Sequence, residues 1–379
     1  MKEFFRKKLE ITRPYFEKGG KFEKLGSTYD AFATFLFVPG HTTHSGTHIK
    51  DGIDLKRTMM TVIIALFPAL LFGMWNVGLQ HFRALGIEAT FMQQFNYGIM
   101  QVLPIIIVSY VVGLGIEFIF AQLRGHSVNE GYLVTGMLIP LVMPPTIPLW
   151  MVAVGAAFCV IIGKEVFGGT GMNVLNPALT ARAFLFFAYP VAMSGDVWIA
   201  GKPDAYSGAT ILADLASATP INSSTWDIFL GTIPGSIGET STLACLIGAL
   251  ILGITGVGSW KIIVSVFAGG FLMGTFMNLI PGGNAFMQLP AWEHLIIGGF
   301  AFGAVFMATD PVSASQTEQG KIIYGLLIGI LTVMIRAWNP AYPEGMMLSI
   351  LLMNVFAPLI DYYVIEANKK RRLSRAKTN

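Results

Sequence analysis

Residues 98–122 read GIMQVLPIIIVSYVVGLGIEFIFAQ, and Glu117 is the only side chain among them that is charged at neutral pH. About 20 consecutive apolar residues are enough for a helix to span a bilayer, so this stretch predicts a transmembrane helix. Across all 379 residues the sequence is 54% hydrophobic and only 12% charged, whereas soluble proteins carry about 25% charged residues. The composition therefore excludes a soluble enzyme and indicates a polytopic membrane protein.

Nine further apolar runs on either side of this stretch also have the length of a spanning helix. The ten segments are 58–78, 98–122, 130–146, 149–167, 177–193, 242–258, 261–280, 294–309, 320–337 and 345–365. The third, fifth and eighth are the weakest, because each is short, polar or interrupted by Pro or Gly. An even number of crossings predicts that both termini lie on the same side of the membrane.

The distribution of basic residues orients these segments. Residues 1–57 and 366–379 together hold 17 of the 25 Lys and Arg residues. Cytoplasmic segments carry an excess of Lys and Arg, so we predict that both termini are cytoplasmic. The loops agree, with Arg124, Lys164, Lys261 and Lys321 assigned inside and Arg83, Lys202 and Arg336 assigned outside. No long apolar run precedes Thr58, so we expect no cleaved signal peptide.

Two of the weak segments occupy equivalent positions in the chain. Segment three runs into the proline-rich residues 143–148, and segment eight, five helices later, runs into residues 308–315. Two five-helix halves with an interrupted helix at the same place in each are typical of an inverted repeat. The predicted fold is an all-α polytopic membrane protein of about ten transmembrane helices, arranged as an inverted five-plus-five repeat with interrupted helices. Ordinary proline kinks are the alternative.

This division predicts five parts of the chain. They are a cytoplasmic N-terminal arm at 1–57, a first repeat at 58–193, an external loop at 194–241, a second repeat at 242–365 and a basic cytoplasmic tail at 366–379. Interrupted helices leave backbone groups that lipid cannot pair. We therefore expect the interruptions to line a site enclosed by protein.

The sequence predicts no metal site. Cys159 and Cys245 both lie in apolar runs, so this chain alone cannot form a disulfide framework or a four-thiolate cluster. His41, His44 and His48 have helical spacing, but the Pro, Gly and polar residues among them favour a loop. Any redox cofactor must be organic or shared with a partner, and no nucleic acid partner is expected.

The long interior loop contains the heptapeptide Asp204-Ala205-Tyr206-Ser207-Gly208-Ala209-Thr210. Taken alone, Ser-Gly-Ala-Thr is an ordinary turn. On an outward loop after a fifth helix, however, the heptapeptide resembles the flavinylation motif of ion-pumping redox complexes. The chain is similar along nearly its whole length to the B-subunit family of the Na+-translocating NADH:quinone oxidoreductases. The similarity includes the strings at 54–57, 128–131, 164–171, 176–178, 307–315 and 339–347.

This resemblance implies that Thr210 carries FMN through a phosphoester to its side-chain oxygen. Asp204, Ser207, Gly208 and Ala209 would form the recognition sequence for a flavin transferase, and the small Gly208 and Ala209 would let that enzyme approach the backbone. The resemblance also implies a noncovalent riboflavin, for which Asn173 and Asn176 offer amide donors and acceptors.

The same resemblance implies a location in the bacterial inner membrane and a set of partners. They are the other subunits of an NADH:quinone reductase, the flavin transferase, a quinone and Na+. The sequence has no nicotinamide-binding or iron–sulfur motif, so the chain is not expected to be active alone.

A charged residue at the centre of a spanning segment raises the free energy of membrane insertion by about 2.5 to 3.5 kcal/mol. Such residues therefore indicate a partner or a function. We interpret Arg182 as the partner of a buried carboxylate or as a snorkelling side chain. Carboxylate oxygens suit a hard cation, so we predict that Glu117, with Asp310 and Asp361 as weaker candidates, lies on a Na+ route. Gly113 and Gly115 precede Glu117 and could admit a flat ligand, but close helix packing is favoured.

Two other functions remain open. The D subunit of the related ferredoxin:NAD+ oxidoreductase complex shares the flavinylated threonine, but it usually begins almost directly with its first helix, whereas 57 residues precede segment one here. A flavin-free solute transporter or channel would also use an inverted repeat with broken helices. That function leaves the heptapeptide unexplained.

Overall fold

The computed structural model describes residues 55–125, 131–220, 223–339, 342 and 344–378, together with residues 11–16, 20, 22, 26, 29, 33 and 45–47. Every regular element within these residues is a helix, which confirms the prediction of an all-α membrane protein. Most of the arm predicted at 1–57 lies outside the described residues, and so do His41, His44 and His48.

Each of the ten predicted segments has a helical counterpart. The helices are α1 (Leu55–Leu85), α2 (Phe91–Arg124), α3 (Tyr132–Leu141), α4 (Leu149–Ile161), α5 (Pro177–Ala188), α6 (Thr242–Thr255), α7 (Trp260–Asn278), α8 (Glu293–Ile296, Phe300–Phe302 and the π-turn Gly303–Met307), α9 (Glu318–Trp338) and α10 (Met346–Thr378). By length and composition, six of them can cross a membrane, namely α1, α2, α4 with its following turn, α7, α9 and α10. The apolar helices α3, α5 and α6 are shorter, and α8 is interrupted.

Three helices extend well beyond the apolar runs that predicted them, and one of them, α2, begins at Phe91 rather than at residue 98. Helix α1 continues past residue 78 to Leu85, because its polar residues find partners inside the protein: the Asn76 amide donates to the Ile233 carbonyl over 3.0 Å, and the Gln80 amide donates to Asn76 over 3.1 Å. Helix α10 continues to Thr378. The basic tail predicted at 366–379 is therefore, as far as the structure describes it, a continuation of the last helix.

The helix ends alternate between two faces of the bundle, as predicted. At one face, which we call the loop end, His81 near the end of α1 and Tyr97 near the start of α2 both bond the Ala200 carbonyl, over 2.7 Å and 3.3 Å. Thr146, just before α4, donates to the Val197 carbonyl there over 2.6 Å. The opposite face, where α1 begins and α10 ends, is the terminal end. That the terminal end faces the cytoplasm stays a prediction.

The contacts between helices recur in the two halves. In the first half α2 packs on α4, α4 on α5, α1 on α3 and α3 on α5. In the second half α7 packs on α9, α9 on α10, α6 on α8 and α8 on α10, which are the same pairs five helices later. Because each half holds an odd number of segments, the two halves run in opposite directions, as an inverted repeat requires.

The interrupted helices are paired by protein groups at the loop end. Where α3 stops, the Gly238 and Ile237 amides donate to the Leu141 and Met143 carbonyls over 2.7 and 3.2 Å. In α8, the Arg336 guanidinium donates to carbonyl oxygens of the broken helix, over 2.5 Å to His294 and 2.8 Å to Ile297. Arg336, which we assigned to an outside loop, is fully buried. Since lipid offers no such donors, these contacts allow backbone to be non-helical inside the bundle.

Gly113 provides close packing between α2 and α3. A Cβ atom at Gly113 would lie 1.8 Å from Cζ of Tyr132, whereas a Cβ atom at Gly115 would have no neighbour within 4 Å. Tyr132 cannot easily move, because it is fully buried and its hydroxyl donates to the Ser109 carbonyl over 2.9 Å. This contact confirms the packing role at Gly113.

We expect Gly113→Ala to lower the stability of the purified protein by about 1–3 kcal/mol, the usual cost of overpacking a core. Gly115→Ala is the matched control, and it should be neutral or slightly stabilising because alanine favours a helix. Thermal unfolding in detergent measures the difference. Equal midpoints for the two variants would contradict the packing role.

Candidate functional site

The heptapeptide 204–210 is held in shape by two residues that lie outside the sequence motif. The Asp196 carboxylate accepts the Gly208 amide and pairs with the Lys202 ammonium. Lys202 Nζ also donates to the Tyr206 carbonyl over 2.6 Å. The hydrogen bond from Lys202 holds the pKa of Asp196 below its ordinary value. Asp196 and Lys202 thus fix the backbone of the motif from outside it, and nothing in their spacing could have shown this.

Gly208 also makes a close contact inside the loop, which adds to the role that the resemblance implies. It is buried, and a Cβ atom there would lie 3.2 Å from both the carbonyl and the carboxylate oxygen of Asp196. The absence of a side chain at this position therefore allows the backbone to lie close to Asp196. Asp204, Ser207 and Tyr206 are exposed, which leaves these side chains on the surface for recognition by another protein.

Thr210 lies at the junction between the motif and the short helix Ile211–Ala216. Its hydroxyl oxygen accepts the Ala213 amide over 3.3 Å and caps that helix, as threonine commonly does. The side chain is half-buried rather than open on all sides, and it lines a cavity. The hydroxyl thus has a structural role in addition to the one that the resemblance implies.

The loop-end cavity has a volume of about 300 Å³. Ligand pockets commonly start at about 300 Å³. Its lining includes Thr210, the aromatic side chains of Phe186, Trp198 and Tyr342, and the cation Arg182. A threonine hydroxyl in the wall and aromatic faces beside it fit a flat ring attached to Thr210.

Arg182 joins two acidic side chains at the loop-end cavity. Its guanidinium nitrogens lie 2.6 Å from Glu239 Oε1 and 2.9 Å from Glu344 Oε2, and the Tyr342 hydroxyl donates to Glu344 over 2.7 Å. The side chains of Arg182 and Glu239 are each 7% exposed, and that of Glu344 is 13% exposed. This confirms Arg182 as the partner of a buried carboxylate. Burial raises the pKa of Glu239 above its ordinary value, while Arg182 opposes that rise and Glu344 adds to it.

A second cavity, which we call the inner cavity, lies toward the terminal end and has a volume of about 150 Å³. Its lining brings together Lys164, Asn173, Asn176 and Asp310, which come from both halves of the chain. Lys164 forms an ion pair with Glu117, and the two side chains are 4% and 5% exposed. Lys164, which the sequence alone assigned only to an inside loop, therefore contacts Glu117 and lines the same cavity as Asp310.

Asn173 and Asn176 both line the inner cavity, but their amides already have partners. The side-chain oxygen of Asn176 caps α5 by accepting the Ala178 and Leu179 amides over 3.0 and 3.3 Å, and its nitrogen lies 3.5 Å from the Met307 carbonyl. Asn173 donates to the Leu175 carbonyl over 3.0 Å. At about 150 Å³ the cavity is also smaller than usual ligand pockets. These contacts do not support a riboflavin at Asn173 and Asn176, which stays a prediction from the resemblance.

Asp310 and Asp361 occupy different environments. Asp310 is half-buried, accepts the Ser313 hydroxyl over 2.7 Å, and lines the inner cavity. Asp361 accepts the Ser315 hydroxyl over 2.7 Å and the Thr317 amide over 2.9 Å, so it holds the start of α9. The bonds made by Asp361 give it a structural role that the sequence did not predict.

Comparison with known proteins gives consistent results along the whole chain. Residues 42–370 match the family model described as the NQR2, RnfD, RnfE family. A protein of Chromohalobacter salexigens, named as the B subunit of Na(+)-translocating NADH-quinone reductase, is 50% identical, covering 98% of this chain and 96% of its own. Proteins with the same name from Ectopseudomonas mendocina and Klebsiella pneumoniae are 51% and 47% identical, covering 95% and 97% of this chain and 96% and 98% of their own.

Proposed function

This chain belongs to the NQR2, RnfD, RnfE family, and we propose that it is the membrane subunit of a Na+-translocating NADH:quinone reductase, passing electrons to quinone while Na+ is exported. The observation that carries the proposal is the identity of 47–51% with proteins named as the B subunit of that enzyme, over nearly the full length of both chains. The other subunits supply the reaction with NADH.

The proposal includes FMN bound to Thr210 through a phosphoester, attached by a flavin transferase that recognises Asp204, Ser207, Gly208 and Ala209. When bound, FMN supplies the transfer of one or two electrons. In support, Thr210 lines a cavity of about 300 Å³ with aromatic walls, and Arg182, held by Glu239 and Glu344, would place a hydrogen-bonding guanidinium beside the ring. A noncovalent riboflavin near Asn173 and Asn176 rests on the resemblance alone.

The proposal also places the loop end outside the cell and the terminal end in the cytoplasm, across the bacterial inner membrane. The concentration of 17 of 25 basic residues at 1–57 and 366–379 supports this orientation. Electrons would then enter at the loop end and reduce quinone near the terminal end, while Na+ moves outward.

The relatives favour a quinone reductase over the D-type subunit of a ferredoxin:NAD+ complex. The family model includes both types, but the three relatives compared above are all named as quinone reductase subunits, and they match 95% or more of this chain. A flavin-free transporter would not need the contacts that hold the heptapeptide.

The Na+ route is proposed to include Glu117 and Asp310, with Asp361 as a weaker member. Glu117 is 5% exposed and Asp310 lines the inner cavity, so two carboxylates lie inside the protein, where Na+ needs replacements for its water ligands. Asp361 is weaker because its oxygens hold the start of α9.

We expect the complex carrying Glu117→Gln to need at least about tenfold more Na+ for half-maximal quinone reduction, since a unit charge opposite the cation is lost. It should also take up less Na+ per NADH in proteoliposomes. Glu366→Gln is the control, because Glu366 is a glutamate toward the same end that lines none of the cavities described and pairs with Lys369 over 2.7 Å. Unchanged Na+ dependence and coupling in Glu117→Gln would overturn the route.

A further inference from the structure

We propose that Lys164 is a tethered cation that competes with Na+ for the Glu117 carboxylate, so that Na+ binds Glu117 only when the Lys164 side chain has left it. This inference rests on the proposed function, in which Glu117 and Asp310 lie on the Na+ route. Lys164 is then a positioning residue that determines when the carboxylate is available.

The first argument is the burial of the ion pair. Lys164 and Glu117 are 4% and 5% exposed, and neither charge can remain in such a place without a partner, because removing one member of a buried pair costs about 3–5 kcal/mol. Lys164 can therefore leave Glu117 only if another cation replaces it. Two cations on one buried carboxylate would repel each other. Lys164 and Na+ therefore cannot bind Glu117 at the same time.

The second argument is that Lys164 has a second carboxylate to move to. Lys164 and Asp310 line the same inner cavity, and no cation within the described residues forms an ion pair with Asp310. Asp310 is held in place by the Ser313 hydroxyl and the Val312 amide. Lysine is a compact charge on a flexible stem, so its ammonium can exchange partners across the cavity without a change in the helices.

The third argument is the net charge. Glu117, Asp310 and Lys164 sum to a charge of minus one, and the nearby Arg124 and Glu165 neutralise each other over 2.9 Å. One additional monovalent cation balances the group. With Lys164 turned toward Asp310 and Na+ on Glu117, every carboxylate in the group has one partner.

The fourth argument is access. Asp310 also lines a third cavity, of about 300 Å³, together with Lys261, Glu318 and Lys321 toward the terminal end. Asp310 therefore lies between this cavity and the inner one. A cation that arrives through the third cavity meets Asp310 first, and Lys164 lies between that point and Glu117.

The test uses the whole purified complex, and it measures equilibrium binding of radioactive Na+ as well as the Na+ dependence of quinone reduction. Lys164→Met removes the competitor, so we expect half-saturation at a Na+ concentration at least about tenfold lower. Lys164→Arg keeps the charge but adds a planar group that binds carboxylate with two parallel hydrogen bonds, so half-saturation should need several-fold more Na+. In the double variant Lys164→Met, Glu117→Gln, the gain in affinity should disappear.

Na+ binding that is unchanged or weaker in an assembled Lys164→Met complex would overturn the inference, because the lysine would then only hold Glu117 in place. If Lys164→Met does not assemble, Lys164→Arg decides: unchanged or tighter Na+ binding would also overturn it. A failure of the proposed route is distinguishable, since Glu117→Gln alone would then leave Na+ binding unchanged.

Discussion

Thr210→Ala is expected to lose covalently bound FMN completely while the complex still assembles. A phosphoester requires the side-chain hydroxyl, and alanine has none. The hydroxyl also caps the six-residue helix Ile211–Ala216, and loss of such a cap costs only about 1 kcal/mol. Ultraviolet fluorescence of the denatured chain in a gel, followed by mass spectrometry of the peptide containing residue 210, measures the attached flavin.

Three control variants distinguish the loss of the hydroxyl from the loss of the helix cap. Thr210→Asn keeps a good capping side chain but no hydroxyl, so it should be as dark as Thr210→Ala. Thr210→Ser keeps both and should retain some label. Thr219→Ala changes an exposed threonine in the same loop and should be labelled normally. A fluorescent Thr210→Ala chain would refute the attachment site, and a dark wild-type chain from flavin-replete cells would favour a flavin-free transporter.

Arg182→Met is expected to destabilise the protein by about 3–5 kcal/mol, which is enough to lower the yield of assembled complex strongly. Arg182 is the shared partner of Glu239 and Glu344 at 2.6 and 2.9 Å, and breaking a buried ion pair from one side leaves uncompensated charge. Thermal unfolding and the yield of assembled complex measure the loss. Arg83→Met is the control, because Arg83 is exposed and bonds only the Thr232 carbonyl over 3.1 Å among the contacts described.

The defect of Arg182→Met should depend on pH. Without the guanidinium, burial raises the pKa of Glu239 further than in the wild type, where burial already raises it and Arg182 opposes the rise. The folded variant then binds more protons than the unfolded chain, so its stability falls as the pH rises through the raised pKa. The variant should be closest to wild type in mildly acidic buffer. A defect that does not change with pH would show that packing, not charge, is responsible.

Much of the architecture could be predicted from the sequence because hydropathy is a local property. Ten apolar runs predicted ten helical segments, and the Pro-rich residues 143–148 predicted an interruption after α3, although α3 ends at Leu141 and not at residue 146. The predicted ends of α1 and α10 and the predicted start of α2 were less accurate. A polar residue such as Gln80 indicates a helix boundary in the sequence, but in the structure the Gln80 amide donates to Asn76 and α1 continues past it.

The site was predicted only where its residues are neighbours in the chain. The motif 204–210 is contiguous and could be recognised, whereas Asp196 and Lys202 bind it from elsewhere in the loop. Asn176 was predicted as a ligand because its amide suits one, but the fold uses its oxygen to cap α5. A side chain that can bind a ligand can equally bind backbone, and sequence does not distinguish the two.

By itself, the sequence determined which stretches form the apolar helices, how these helices follow one another and where the heptapeptide 204–210 lies, because each depends on residues within one short stretch. Only the tertiary structure decided which buried charges meet. Lys164 pairs with Glu117 across 47 residues, and Arg182 with Glu239 across 57. Such pairs depend on how helices pack side by side, and the energy that selects them, the cost of leaving a buried charge alone, exists only once the helices have come together.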